Sequence, residues 1–192
     1  MLAKIKELRE QTAVSFTECK KAIEEAGGSL EKALAILKKA SFAVADKKSE
    51  RATGAGVIEA YIHSNGKVGA LVDLRCETDF VAKTAEFKEL AHNIALHIAA
   101  LKPKFVSRDD IPEEAKKELE YSLAKEIENA NKPENIKKKI IEGKMESVFK
   151  EEALMEQPFV KNPDIQISSL IKESIQKLGE NIKIARFARF EI

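Results

Sequence analysis

Residues 76–83 have the composition of a protein-binding contact at the end of a strand. Thr78 and Asp79 precede Phe80 there, and a strand-like alternation before them changes to a helical pattern after them. An aromatic side chain on the first turn of a surface helix, beside a carboxylate, presents a rigid apolar group that can enter a pocket on another protein. The sequence therefore offers Phe80 as a candidate for binding rather than for covalent chemistry.

The same residues also fit a structural interpretation. Thr78 or Asp79 would be the N-cap of a helix, and Phe80 would be its first core residue, seven positions before Phe87 on one stripe. The pattern alone favours this alternative.

The turn at residues 9–16 has the same ambiguity. Phe16 begins a helix there, and it lies at helical spacing from Cys19 and Ile23. Here too the pattern favours a structural role, although an aromatic at the start of a surface helix also suits a binding surface.

No arrangement of catalytic or metal-binding residues stands out in the sequence. It lacks glycine-rich phosphate-binding loops, the G-x-S-x-G nucleophile motif and the H-E-x-x-H zinc motif. His92 and His97 are five residues apart, on different faces of a helix, and we expect both at the surface or at a sheet edge. Cys19 and Cys76 have no metal-type partner nearby. We therefore predict a protein that is not an enzyme and that uses no metal or cofactor.

The composition indicates apolar cores beneath a heavily charged surface. Of the 192 residues, 44% are hydrophobic and 34% are charged, and the net charge is +1. A chain with so little net charge has no overall positive charge that would attract nucleic acid. The richest apolar stretch, residues 91–101, is too short to span a bilayer, and the N-terminus has no apolar leader. Two free thiols suit a reducing compartment, so we expect a cytoplasmic protein without direct contacts to nucleic acid or membrane.

Three short helices are predicted in residues 1–50. Ser15 and Glu18 have the spacing of a capping box, and two consecutive glycines end the helix that follows. Ser29 caps the third helix, whose apolar stripe consists of Leu30, Ala33, Leu34 and Leu37. A charged stretch, residues 46–54, comes next, and we place a domain boundary there, between residues 1–50 and 51–192.

Residues 55–107 begin with the period-two alternation typical of strands. Ile58, Ala60 and Ile62 alternate with polar residues, and a second alternating run follows Asn65 and Gly66. Asn-Gly between such runs predicts a hairpin with positive φ at both turn positions and with one apolar face covered. The covering helix, from about Phe80 to Leu101, carries the stripe Phe87, Leu90, Ala91, Ile94, Ile98 and Leu101.

The rest of the chain is predicted to add helices and a third strand. Residues 108–152 form a helical hairpin with a break at residues 129–133, and residues 153–192 form a helix that ends at Gly179, followed by a strand. Ile182, Ile184, Ala188, Phe190 and Ile192 share a parity that Arg186 interrupts, so we expect a bulge. The predicted fold class is α+β, with a three-helix module and a core in which a three-stranded antiparallel sheet packs against helices.

Several segments resemble signatures of the bacterial elongation factor Ts family. The clearest is residues 74–83, which contain Thr78, Asp79, Phe80 and Val81. The other similar segments are residues 8–12, 16–23, 154–161 and 179–182, together with Arg186 and Phe187. They cover nearly the whole chain in the order in which the family has them.

The resemblance implies a guanine-nucleotide exchange factor that releases GDP from the GTPase elongation factor Tu. By this likeness, residues 1–50 resemble a ubiquitin-associated (UBA-like) module and bind the GTPase through Arg9, Thr12, Phe16, Thr17 and Lys20. Residues 78–81 (Thr78, Asp79, Phe80 and Val81) enter the GTPase near its Mg²⁺ site, with Phe80 as the probing side chain. The likeness also implies secondary contacts at His63, Leu178 and Gly179.

The chain resembles the short members of this family. Longer relatives carry two copies of the core unit, whereas this sequence has one, so the resemblance implies a homodimer and a two-to-two complex with the GTPase. The sequence departs from the family pattern at Ala13, Ser15, Phe16, Thr17, Asp73 and Arg75. The alternative is a UBA-like adaptor or oligomerisation protein without exchange activity.

Overall fold

The computed structural model describes residues 1–12, 14–127 and 133–192. It begins with the predicted bundle of three helices, α1 (Leu2–Thr12), α2 (Phe16–Glu25) and α3 (Leu30–Lys48), which we call the helical module. The departure from the family pattern at Ala13 lies outside the described residues. The three apolar stripes meet in a small core that contains Ile5, Leu8, Val14, Cys19, Ala22, Ile23, Ala26, Ala33 and Leu37.

Serine side chains cap two of these helices, as predicted. Ser15 Oγ accepts a hydrogen bond from the Glu18 backbone N–H at 3.3 Å, and Ser29 Oγ accepts one from the Lys32 N–H at 3.4 Å. The capping box differs in detail, because the Glu18 carboxylate accepts a bond from the Ser15 hydroxyl at 2.7 Å, where a bond from the backbone N–H of the cap residue is usual.

Helix α3 packs against the second part of the chain. It runs into the charged stretch and ends at Lys48, and Ala45 near its end is buried in the larger core. Along its length α3 contacts α8 (Ile167–Leu178), the last helix of the chain. The helical module is therefore in direct contact with the elements that follow it.

The predicted three-stranded antiparallel sheet is confirmed. It consists of β1 (Ala55–Ile62), β2 (Val68–Cys76) and β5 (Lys183–Glu191), in the order β1-β2-β5. Helix α5 (Ala85–Leu101) covers one face and buries the predicted stripe up to Ile98, whereas Leu101 is exposed. The α+β fold class is thus confirmed.

The turn between β1 and β2 differs from the predicted one. Gly66 has a φ of +67°, but Asn65 does not have a positive φ. The Gly66 N–H donates to the His63 carbonyl at 2.8 Å, which is typical of a longer loop with a glycine in the left-handed region. The hairpin is confirmed, but the prediction of positive φ at both turn positions was wrong.

The covered face of β1 is the opposite of the predicted one. Ile58 and Ile62 are 69% and 67% exposed, and Ala60 between them is also exposed. Val57 and Tyr61, which pair with buried residues of β2, pack against the core. Alternation sorts the residues of a strand into two faces, but the packing of α5 decides which face is covered.

The predicted bulge in β5 is confirmed, and it changes which residues face the core. The register with β2 shifts between Asp73 and Leu74, whose partners are Arg186 and Ile184. The extra residue places Phe187 on the core side with Ile184. The expectation of one shared face was therefore wrong for the later residues of that parity. Ala188 and Phe190 pair with outward-facing residues of β2, and Ile192 lies beyond the end of β5 and is exposed.

The remaining elements connect these parts. The short helix α4 (Asp79–Ala82) precedes α5, and α6 (Glu113–Ile127) and α7 (Glu134–Glu152) are the helices of the predicted helical hairpin. Its predicted break at residues 129–133 lies outside the described residues, except for Pro133. Two 3₁₀ turns (Arg108–Asp110 and Leu154–Glu156) flank the hairpin. Two short paired strands follow, β3 (Pro158–Phe159) and β4 (Asn162–Gln166).

His97 is fully buried, contrary to the expectation that both helix histidines lie at the surface. Its Nδ1 accepts a hydrogen bond from the Val160 N–H at 3.1 Å, so Nε2 carries the proton and donates to Gln157 Oε1 at 2.9 Å. Burial lowers the pKa of His97, and the bond to Gln157 partly opposes this effect. Through these two hydrogen bonds the neutral imidazole connects α5 to the β3–β4 hairpin and to the residue before it. His92 is exposed, as expected.

Candidate functional site

The 78–81 segment forms a single helical turn between β2 and α5. Thr78 has an extended backbone and caps α4, because its Oγ1 accepts a hydrogen bond from the Val81 N–H at 3.4 Å. Of the two candidate caps, the structure thus selects Thr78. Asp79 follows in the first turn, where a carboxylate is favoured by the exposed N–H groups of the helix start.

Helix α4 does not continue into α5. Lys83 ends α4, and Thr84 begins the next helix, where its Oγ1 accepts a bond from the Phe87 N–H at 3.2 Å. Phe80 is 87% exposed, whereas Phe87 is fully buried. The prediction of one helix from Phe80 to Leu101 was therefore wrong, and so was the structural interpretation of Phe80 as a core residue.

The other apolar residues of the turn attach it to the core. Val81 is half-buried against the core, and Ala82 is buried within it. Phe80 is thus the apolar side chain of the turn that points outward, beside the exposed Thr78 and Asp79. An exposed aromatic ring on a backbone that is fixed on both sides can enter a pocket with little loss of conformational freedom.

Glu180 binds the base of this segment from a distant part of the chain. Its Oε2 accepts hydrogen bonds from the backbone N–H groups of Glu77 and Thr78 at 3.1 and 3.0 Å. Its Oε1 accepts a third bond from the Thr78 hydroxyl at 2.6 Å. Both N–H groups precede the helix and have no acceptor within it. The local sequence gives no signal for this contact, since Glu180 and Thr78 are 102 residues apart, and Glu180 was missed as a site residue.

Asn181 extends the contact to the end of the helical module. Its backbone N–H donates to Glu77 Oε1 at 2.7 Å, and its Nδ2 donates to the carbonyls of Ser49 and Arg51 at 3.2 and 2.8 Å. The Arg51 guanidinium lies 3.5 Å from the same oxygen of Glu77. These contacts, which are partly buried, link the residues that follow α3 to the base of the 78–81 segment.

Cys76 lies buried directly before the turn, and its Sγ–H donates to the Thr78 carbonyl at 3.2 Å. Burial raises the pKa of the Cys76 thiol, and the negative charge of Glu180 raises it further. Because the thiolate is the nucleophilic form, this environment disfavours a catalytic role for Cys76.

The implied secondary contact residues lie at two ends of the core. Leu178 and Gly179 immediately precede Glu180, so they lie beside the 78–81 segment. His63 follows the opposite end of β1, and the length of this strand, roughly 25 Å, separates it from the 78–81 segment. The structure therefore brings Leu178 and Gly179 together with the segment, but not His63.

The implied contact residues of the helical module lie around the junction of α1 and α2. Arg9, Phe16, Thr17 and Lys20 are exposed there. Phe16 is 41% exposed and is not part of the core of the module, so its structural interpretation was wrong. Thr12 is half-buried, and its hydroxyl donates to a carbonyl of its own helix at 2.7 Å.

The outer face of the sheet, opposite α5, exposes large apolar side chains. Ile58, Ile62, Leu71 and Phe190 are between 42% and 69% exposed. The face is not wholly apolar. Asp73 is buried on it and forms ion pairs with Arg75 and Arg186. The hydrogen bond from Arg75 holds the pKa of Asp73 below its usual value, and the charge of Arg186 adds to this effect.

Within residues 1–12, 14–127 and 133–192, no group of three or more His, Cys, Asp or Glu side chains is arranged to hold a metal ion. Over the same ranges, no helix has both the length and the apolar character needed to cross a bilayer.

The chain is similar to known proteins over nearly its whole length. The family model described as Elongation factor TS matches residues 4–192. The chain is 52% identical to elongation factor Ts of Carboxydothermus hydrogenoformans, over 98% of this chain and 87% of that protein. It is 46% identical to elongation factor Ts of Thermosipho melanesiensis (98% and 96% covered) and 48% identical to that of Rubrobacter xylanophilus (100% and 98% covered).

Proposed function

The chain belongs to the elongation factor Ts family, and on this basis we propose that it is a guanine-nucleotide exchange factor for the GTPase elongation factor Tu. It binds the GDP-bound GTPase, promotes the release of GDP during translation elongation and stays bound to the nucleotide-free form. It acts through protein contacts, in the cytoplasm where translation takes place, and catalyses no covalent step.

The exposure of Phe80 is the observation that carries this proposal. A phenylalanine that is 87% exposed on a capped and anchored turn loses apolar contact with water only when a partner covers it. In the proposal, Phe80 enters a pocket of the GTPase near its Mg²⁺ site. Asp79 and Val81 on either side set the direction of approach.

Displacement of Mg²⁺ explains why this contact releases GDP. Mg²⁺ binds phosphate oxygens and offsets their negative charge. When the 78–81 segment disturbs the groups that hold the ion, the phosphates of GDP lose this stabilisation, and GDP dissociates faster. The factor must also bind the nucleotide-free GTPase more tightly than the GDP-bound form, because equal affinity for both states would shift no equilibrium.

The helical module supplies a second contact in this proposal. Arg9, Phe16, Thr17 and Lys20 are exposed around the α1–α2 junction, and with Thr12 they bind the GTPase away from its nucleotide site. Leu178 and Gly179 add contacts beside the 78–81 segment. His63, at the far end of β1, contacts a different part of the partner.

We further propose that the chain forms a homodimer through the outer face of its sheet. The apolar side chains of Ile58, Ile62, Leu71 and Phe190 form one exposed surface, and such surfaces mark protein interfaces. The protein that covers this surface is a second copy of the chain, because the chain has one core unit where longer relatives have two. Two copies then bind two GTPase molecules.

Release of a fluorescent GDP analogue from purified elongation factor Tu tests the exchange activity. With unlabelled GDP in excess, the release rate should rise with the concentration of this protein and then saturate. If the two proteins form a complex but release is not accelerated, the proposal is wrong and the adaptor alternative is favoured.

A further inference from the structure

The direction of Phe80 is set by the backbone beneath it, not by contacts of its own ring. At 87% exposure the ring has little packing of its own, so it points where the turn of α4 aims it. The turn begins at Thr78, whose hydroxyl accepts a bond from the Val81 N–H and donates one to Glu180. The orientation of Phe80 therefore depends on what holds Thr78.

Glu180 is the side chain that holds Thr78. Both of its carboxylate oxygens are used, with two backbone N–H donors and one hydroxyl donor at 3.1, 3.0 and 2.6 Å. Hydrogen bonds to an ionised carboxylate are about twice as strong as those between neutral groups. Without Glu180, the N–H groups of Glu77 and Thr78 lose this acceptor. The 78–81 segment then loses its hydrogen bonds to the residue that follows the end of α8.

Glu180 is itself held in place from both sides. Gly179, with a φ of +78°, ends α8, and Lys48 at the end of α3 donates to its carbonyl. On the other side, Asn181 is buried and bonds to Glu77 and to the residues after α3. The carboxylate thus has a fixed location relative to both the helical module and the core.

We propose that Glu180 is a positioning residue for nucleotide exchange, which acts through Thr78 by fixing the direction in which the 78–81 segment presents Phe80. The proposal rests on the proposed exchange function. It also means that residues 179–181 set the position of Phe80 relative to the helical module, so that both contact surfaces meet the GTPase in one arrangement.

Exchange kinetics of Glu180→Ala separate a positioning role from a direct contact. The maximal release rate at saturating factor should fall roughly tenfold or more, because a small misplacement of an acting group costs up to about a hundredfold in rate. The half-saturating concentration should stay within a factor of about two, since the helical module still binds. Glu180→Gln keeps the size and one acceptor oxygen, so its maximal rate should lie between those of Glu180→Ala and the wild type.

Glu142→Ala is the matched control, because Glu142 is an exposed glutamate on α7, away from this site. It should change neither kinetic parameter. An unchanged maximal rate in Glu180→Ala overturns the proposal. A large rise in the half-saturating concentration with an intact maximal rate also overturns it, because that pattern indicates direct partner binding.

Amide hydrogen exchange in the free protein gives a readout that is independent of the GTPase. In Glu180→Ala and Glu180→Gln, the amides of Glu77 and Thr78 should exchange faster, while that of Ile94 in α5 should not change. Unchanged protection at Glu77 and Thr78 overturns the proposal even if activity falls. If the wild type itself does not accelerate GDP release, the exchange function has failed, whereas active wild type with fully active Glu180 variants refutes only the positioning role.

Discussion

Phe80 and Phe87 lie seven residues apart on consecutive helices, and the side chain of Phe80 is 87% exposed whereas that of Phe87 is fully buried. Thr84 caps a new helix between them, so the two rings no longer lie on one helical stripe. One ring faces solvent and the other lies in the core. The same residue type therefore has two separable roles in one short segment, with Phe87 in the core and Phe80 available to a partner.

Alanine substitutions of the two phenylalanines should differ in their effect on stability. Phe87→Ala removes a fully buried ring and should lower the free energy of unfolding by about 3–5 kcal/mol. Phe80→Ala removes an exposed ring and should change it by less than about 0.5 kcal/mol. Urea unfolding followed by circular dichroism measures both. A loss in Phe80→Ala as large as that in Phe87→Ala would show that Phe80 is a core residue.

Phe16→Ala should weaken binding to the GTPase without slowing the exchange step. Truncation of an aromatic contact residue commonly costs about 1–2 kcal/mol or more of binding free energy, which corresponds to roughly a tenfold higher half-saturating concentration. The maximal rate of GDP release should not change, because Phe16 lies in the helical module and not in the 78–81 segment. An unchanged half-saturating concentration would remove Phe16 from the proposed interface.

A charge on the outer face of the sheet should break the proposed homodimer. Ile62→Glu places a carboxylate among the exposed apolar side chains of this face, beside Leu71 and Phe190, where its desolvation in an interface is unfavourable. Sedimentation velocity at micromolar concentration should show a dimer for the wild type and a monomer for the variant. Ile136→Glu, at an exposed isoleucine of α7, is the control and should remain dimeric. A monomeric wild type contradicts the dimer.

His97 should make the protein less stable in mild acid. Because burial lowers the pKa of His97 in the folded state, the unfolded chain takes up the imidazole proton first as the pH falls below about 6.5, the ordinary pKa of histidine. The free energy of unfolding should therefore decrease below that pH. His97→Gln, which keeps a donor and an acceptor but cannot titrate, should show a smaller decrease between about pH 7.5 and 5.5. Equal pH dependence in both proteins would exclude His97 as the cause.

Local sequence patterns predicted most of the elements, because caps and apolar periodicity act over a few residues. Ser15 and Ser29 begin helices as expected, the strand pair forms a hairpin, and the interruption at Arg186 corresponds to a real bulge. The face of β1 could not be predicted in this way. Ile58 and Ile62 have the better apolar pattern, but the register with β2 and the position of α5 place Val57 and Tyr61 inward.

The candidate site was predicted in part, for a related physical reason. The family resemblance indicated Phe80, while periodicity alone placed it in the core, because the apolar spacing continues across the break at Thr84. The contacts of Glu180 with Thr78 and of His97 with Gln157 join residues that are 102 and 60 positions apart. Such long-range polar contacts arise only when the fold brings the partners together, so no local pattern reveals them.

The maximal rate of GDP release from elongation factor Tu in the presence of saturating Phe80→Ala tests the central claim most directly. Because truncation of an aromatic anchor costs about 2 kcal/mol or more, the account predicts a fall of at least about tenfold relative to the wild type. Tyr121→Ala, which removes an exposed aromatic ring from α6, should retain the wild-type rate. A Phe80→Ala variant that folds normally and releases GDP as fast as the wild type would contradict the account.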